Sequence, residues 1–187
     1  MLSMRRKSFG RSPCPIARSL EHVGEWWSIL IMRDALHGLT RFDDFQKSLG
    51  IAPNMLARRL TALVKSGLLE RRRYNDRPPR DEYLLTERGR DFRAVVLSLL
   101  AWGNRHFAPE GASVMLVNRK TGVAVDPILA DPATGRPVDE SDYVLAPGPA
   151  AGPSTLRRYG ATDEATSSAP MRKPGRNSRS TPQSGSK

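Results

Sequence analysis

A chain of 187 residues with 39% hydrophobic content can form one packed domain with tails or two small domains. Its formal net charge of +11 and its pI of about 10.6 point to polyanionic partners, either nucleic acid or an anionic membrane surface. No apolar run is long enough to span a bilayer, and the single cysteine excludes an internal disulfide and a cysteine-based zinc cluster.

Residues 1–12 are basic and aperiodic and read as a flexible basic arm. No apolar region follows them, so they do not read as a secretory signal. Ile16, Leu20 and Val23 share one face of a first helix that ends at His22-Val23-Gly24. A second helix fits residues 25–36, with Trp27, Leu30, Ile31 and Leu36 inward. The adjacent Trp26 and Trp27 then face different interfaces. Gly38 stops this helix.

A third helix begins at Thr40-Arg41-Phe42, with Asp43 and Asp44 at its positive end and an apolar face of Phe42, Phe45 and Leu49. Gly50 permits a left-handed turn. Pro53 suits the first position of a fourth helix over 53–66, which Gly67 closes. A helix, a tight turn and a longer helix form a helix-turn-helix. Residues 68–74 and 81–85 read as strands, joined by the loop Asn75-Asp76-Arg77-Pro78-Pro79-Arg80. A hairpin directly after such a helix is a wing.

Thr86 caps a last helix, with Glu87 in its first turn. Its apolar positions are Phe92, Val95, Val96, Leu99, Leu100 and Gly103, with His106 or Phe107 beyond. Leu97 and Trp102 widen that arc past what one core contact needs, so the helix is expected to pack also on a second copy. From Ala108 the composition shifts. Residues 113–117, 123–125 and 143–145 suggest short strands. Thr121-Gly122 and Thr134-Gly135 are turn signals, each followed by Val-Asp, a weak internal similarity. Beyond Gly152 the chain is rich in Ser, Pro, Gly and Arg and reads as disordered.

The expected fold is therefore mainly α with a small β-wing, a winged helix-turn-helix followed by a small β-rich C-terminal extension and a disordered tail. The expected divisions are a basic arm over 1–12, a DNA-binding and dimerisation domain over 13–108, the extension over 109–152 and a basic tail over 153–187.

Stepping 100° per residue from Leu56 places Leu60, Leu63 and Val64 in one stripe that seats the fourth helix on the body. Asn54, Arg58, Ala62 and Lys65 fall opposite, with Met55, Arg59 and Thr61 on the flanks. The exposed face carries cations and an amide but no carboxylate, which suits a major groove. Arginine forks guanine O6 and N7, asparagine reads adenine, and a small alanine approaches a thymine methyl. The helix N-terminus can bond a phosphate. In the wing, Asn75, Arg77 and Arg80, flanked by Arg71, Arg72 and Arg73, fit phosphate contacts on an adjacent minor groove or its backbone. The alternatives are a solvated arginine face and a winged helix that binds protein.

The run CPIARSLEHVGEWWSILIMRDALHGLTRFDDFQKSLGIAPNMLARRL, with the wing motif Y-x-x-x-P-P-R-x-E-Y-x-L-T-x-x-G-R and the later W-G, resembles the HxlR-type family of bacterial winged-helix transcriptional regulators. The match spans Cys14 to about Phe107 and continues weakly over 113–152. The resemblance implies a homodimer on a roughly palindromic operator in double-stranded DNA, formed by the first and last helices, and regulation that is more often repression than activation. On that basis the dimer interface is expected at Ile16, Leu20, Val95, Val96, Leu99, Leu100 and Trp102. The implied location is the bacterial cytoplasm, with no membrane partner.

Cys14 lies at the start of the first helix, near Arg11 and Arg18, where a helix N-terminus and cations favour a thiolate. Some members of the resembled family sense oxidants or electrophiles through a cysteine near the N-terminus, and Cys14 matches that position. The alternative is a small packing residue. His22, His37 and His106 are scattered, so no metal is expected. No nucleophile-base arrangement, phosphate loop or carboxylate pair suggests an enzyme, and no cofactor is expected. A small-molecule or redox effector stays unnamed.

Overall fold

Phe45, Leu56, Leu60 and Leu63 are fully buried, and the helices are arranged to bring them together. The computed structural model describes residues 8–139 and 141–160. Residues 1–7 of the expected arm over 1–12 and residues 161–187 of the expected tail over 153–187 lie outside the described residues.

The order of elements is α1 (Pro15–Val23), α2 (Trp26–Leu36), α3 (Phe42–Leu49) and α4 (Pro53–Lys65), then the hairpin β1 (Leu69–Asp76) and β2 (Pro79–Leu85). There follow α5 (Glu87–Asp91), α6 (Arg93–Phe107), β3 (Leu116–Val117), β4 (Ala124–Val125) and α7 (Pro153–Tyr159). This is a winged helix-turn-helix, mainly α with a small antiparallel wing. Gly50 ends α3 at φ 60°, a conformation that a side chain with a Cβ resists, and Pro53 opens α4.

The core draws Val23 from α1, Ile31, Met32 and Ala35 from α2, Phe45 from α3 and the α4 leucines, closed by Ile51, Leu68 and Leu69. Each fully buried aliphatic or aromatic side chain contributes roughly 1.5–3 kcal/mol over leaving it in water. Of the α2 residues expected inward, Ile31 is buried, whereas Trp27, Leu30 and Leu36 are half-buried. Ser28, Met32, Asp34 and Ala35 take the remaining buried places. Asp34 is held by the neighbouring guanidinium, with Arg33 Nε donating to its Oδ1 at 2.8 Å.

Two expected helices differ from their sequence patterns. The α1 stripe runs past the core, so Val23 is buried at its end while Ile16 is 68% exposed and Leu20 45% exposed. The single last helix is two, because the chain turns at Phe92, which packs against the core. Thr86 caps α5, its hydroxyl accepting from Gly89 N at 3.0 Å while donating to Gly67 O at 2.7 Å. In α6 only Ala101 is buried. Val95, Leu99, Trp102 and Phe107 stand exposed.

The wing is tighter than the expected loop over 75–80. Pairing continues through Asn75↔Arg80 and Asp76↔Pro79, leaving Arg77 and Pro78 as the tip. Pro79 is tolerated because it is the first residue of its strand. Tyr83 N donates to Thr40 O at 2.7 Å, and Arg41 bridges Glu82, so the hairpin is tied to the start of α3.

After α6 the chain makes two hairpins with the same turn, which gives the internal similarity a structural basis. Asn118 N donates to Val123 O, and Gly122 N to Asn118 O, each at 2.8 Å. Asp131 N donates to Arg136 O at 2.9 Å, and Gly135 N to Asp131 O at 2.7 Å. In both, the leading Asn or Asp side chain accepts backbone N–H groups inside the turn. The two glycines sit at φ 69° and 70°. These bonds hold the Asp131 carboxyl below the usual range, the Ala133 N–H first among them. The strand expected over 113–117 is reduced to β3, and no strand forms over 143–145. Tyr143 instead donates its hydroxyl to Asp131 Oδ2 at 3.1 Å. The extension lies against α6, with Asn104 Nδ2 donating to Val114 O at 2.9 Å. A cavity of about 390 Å³ opens there, lined by Leu100, Ala101, Asn104, Met115, Leu116 and Val125.

A separate unit begins at Leu145. Within it Pro153–Tyr159 forms α7, where the sequence reads as disordered. Pro153 at the first helical position and the Gly160 N–H donating to Leu156 O bound this one short helix.

Candidate nucleic-acid interface

Helix α4 turns Asn54, Ala57, Arg58, Thr61 and Lys65 outward, all exposed, while Leu56, Leu60 and Leu63 are sealed beneath. The ridge is cationic and holds no carboxylate. Asn54, Arg58 and Lys65 lie where the 100° reading puts them. Ala62 is half-buried, and Thr61 is more exposed than a flank position suggests. Thr61 donates its hydroxyl to Ala57 O at 2.8 Å, which leaves its oxygen free to accept. Pro53 has no N–H, and the Met55 and Leu56 N–H groups each donate to Ala52 O at 3.0 Å, which leaves the Asn54 N–H as the first-turn donor open to an anion.

Met55 and Arg59 separate from this ridge. Met55 is half-buried against the core, and its sulfur lies 3.2 Å from Arg58 Nη2. Arg59 turns toward the body: its side chain is 14% exposed and its Nη2 lies 2.9 Å from Glu25 Oε2.

The wing arginines divide into two groups. Arg71 and Arg73 both bond the Asp81 carboxylate, and Arg72 bonds Glu82, with Nη2 at 2.7 Å from Oε1. The Arg73 and Arg71 hydrogen bonds hold the Asp81 carboxyl below its usual range, and Asp81 in turn raises Arg71. Arg77 and Arg80 are exposed and have no carboxylate partner among the described residues. Asn75 serves the tip, its Oδ1 accepting from Arg77 N at 3.3 Å, which leaves the side-chain N–H donors that a phosphate would take. Burial raises the Tyr83 hydroxyl, which stays neutral on the inner face.

Arg41 is a cation that sequence reading did not single out. It occupies the N-cap position of α3 and stacks on Tyr74, with its guanidinium carbon 4.8 Å from the ring centroid. No local periodicity pairs a helix cap with a strand many residues later. Cys14 is half-buried at the N-cap of α1, its N–H donating to Ser12 Oγ at 3.2 Å. The expected interface residues fall into two sets: Ile16, Leu20, Val95, Leu99 and Trp102 are exposed, and Val96 and Leu100 are half-buried. Among the described residues, no group of three or more His, Cys, Asp or Glu could hold a metal ion, and no helix is long and apolar enough to cross a membrane.

Known proteins resemble this chain in sequence and fold. The family described as HxlR-like helix-turn-helix matches residues 22–111. The chain is 38% identical over 135 residues to Rv3095 of Mycobacterium tuberculosis, named an uncharacterised HTH-type transcriptional regulator, covering 72% of this chain and 85% of that protein. The solved structure of PA1374 from Pseudomonas aeruginosa, described as a candidate transcription factor, is 57% identical with a TM-score of 0.58, covering 78% of this chain and 99% of that one. That of PA1607, described in the same terms, is 38% identical with a TM-score of 0.67, covering 75% and 99%.

Proposed function

The chain belongs to the HxlR-like helix-turn-helix family, and from that premise we propose that it is a sequence-specific transcriptional regulator acting as a homodimer on a palindromic operator. The observation that carries this reading is the carboxylate-free outer ridge of α4, flanked by the wing cations Arg77 and Arg80, which have no carboxylate partner among the described residues. Asn54, Arg58, Thr61 and Lys65 face the major groove, with Arg58 as the forked base reader. Arg77 and Arg80 take phosphates beside the adjacent minor groove, supplying affinity and register.

The exposed apolar residues of α1 and α6 support pairing. Ile16, Leu20, Leu99 and Trp102 form faces that a lone chain leaves in water. Two-fold pairing through them sets the two α4 helices about one DNA turn, roughly 34 Å, apart. Occupying an operator that overlaps a promoter gives repression.

Selection from random duplexes, followed by genome-wide mapping of bound DNA, tests the reading. The expected product is a palindromic motif. Recovery of protein partners with no DNA enrichment would leave an interaction module in its place. Arg58→Ala is expected to lower affinity for the selected site by about 1–3 kcal/mol and to spare random duplex. Equal losses on both DNAs would remove Arg58 from base reading.

A further inference from the structure

Arg59 sits on the cationic helix, yet it points away from the proposed groove. It turns inward beside Leu60 and Leu63 and reaches the corner between α1 and α2. There its Nη2 meets Glu25 Oε2 at 2.9 Å, the two side chains being 14% and 34% exposed. Glu25 is the N-cap of α2, and the next residue, Trp26, is 73% exposed on the outside of the same corner. A second tie lies further along α4. His22 Nδ1, at the end of α1, lies 3.0 Å from the hydroxyl of Ser66, the C-cap of α4. Positions 59 and 66 are about 10 Å apart along the helix axis. Two points so spaced, both on the α1–α2 corner, fix the tilt of α4 as well as its position.

We infer that Arg59 is a positioning residue: its bond to Glu25 sets the angle of the recognition helix relative to the α1–α2 corner, and through it the match between the two half-sites of a dimer. The inference rests on the DNA-binding reading proposed above. Its physical basis is geometric. A half-enclosed ion pair is a weak source of net stability, because desolvation offsets attraction. Arg59 Nε is also buried with no hydrogen-bond partner among the described residues, which costs further. A planar guanidinium against a carboxylate, however, restricts rotation in a way that sliding apolar contacts do not. The leucines hold α4 down, and the ion pair sets its rotation. A dimer that carries α1 at its interface passes any rotation of this corner to both recognition helices.

The experiment uses the full chain and duplex selected by the wild type from a random pool. Affinities are measured for Glu25→Gln, Arg59→Gln, the double variant and Arg59→Lys, on the selected duplex and on random duplex, across a salt series. Glutamine is nearly isosteric with glutamate, so Glu25→Gln preserves packing. Arg59→Lys preserves charge while replacing the planar guanidinium with a compact ammonium. Each variant is expected to bind the selected duplex about tenfold more weakly than wild type, with the double no weaker than either single substitution. Random-duplex affinity and the salt slope should stay within about twofold and 0.3 of wild type, since no phosphate contact is lost. A direct phosphate contact gives the opposite pattern: Arg59→Gln lowers the slope by about 0.9, Arg59→Lys restores it, and Glu25→Gln is neutral or binds more tightly. That pattern, or additive losses in the double variant, overturns the inference. Failure of the wild type to select any DNA overturns the DNA-binding reading and this inference with it. Selection followed by neutral variants overturns this inference alone.

Discussion

The two groups of wing arginines make a sharp prediction about salt dependence. Each phosphate neutralised by a free cation steepens the fall of log affinity with log salt by about 0.9 on duplex DNA. Arg80 is exposed without a carboxylate partner among the described residues, so it can engage a phosphate at no internal cost. Arg80→Ala should therefore make the slope shallower by about 0.9, a change of about 3.5-fold in relative affinity between roughly 50 and 200 mM salt. Arg72 is exposed too, but Glu82 holds its guanidinium through two hydrogen bonds of 2.9 and 2.7 Å. To meet a phosphate it would first have to leave that carboxylate, so Arg72→Ala should leave the slope unchanged. Removing the acid does the reverse. Asp81→Asn releases Arg71 and Arg73 together and should steepen the slope by up to about 1.8, two contacts' worth. Fluorescence anisotropy on one random duplex across a salt series measures all three. An Arg72→Ala slope that falls as far as that of Arg80→Ala would refute the sorting of paired from unpaired cations.

Three further outcomes are expected. A glutamate at Leu99, which is 41% exposed on α6, should yield monomers by light scattering while circular dichroism stays native, and a persisting dimer would remove α6 from the interface. The Asp81 carboxyl titrates below its unfolded value of about 3.9. Its contribution to stability is thus present above that value and lost as pH falls through the folded value; carbon-detected NMR should find its midpoint below that of an exposed aspartate, and an ordinary midpoint would deny the pairing. Cys14 is half-buried on α1, and a peroxide or quinone that lowers DNA affinity in the wild type should leave Cys14→Ser unaffected. An equal response in both proteins would discard Cys14 as the sensor.

Local chemistry was enough to read much of this fold. Gly50 and Pro53 bound the turn and start α4, the leucine period of α4 separates its buried and outer faces, and Thr86 caps the helix it precedes. Each is a matter of backbone freedom or of helix periodicity, which act over a few residues. The outer residues Asn54, Arg58 and Lys65 were legible for the same reason. The wing was legible as a hairpin but not in its extent, since whether Pro79 joins a strand depends on which backbone groups its partner presents.

What the sequence determined by itself, then, is the helix-turn-helix, its cationic ridge and the existence of a wing, because periodicity and turn chemistry are local. What only the tertiary structure decided is the state of each charge. Arg58 and Arg59 are neighbours of the same type, yet one faces outward and the other is bound to Glu25. Arg72 and Arg80 share a hairpin, yet among the described residues only Arg72 has a carboxylate partner. An arginine's availability to DNA depends on where a distant acidic side chain lies in space, and that distance is set by packing rather than by spacing along the chain.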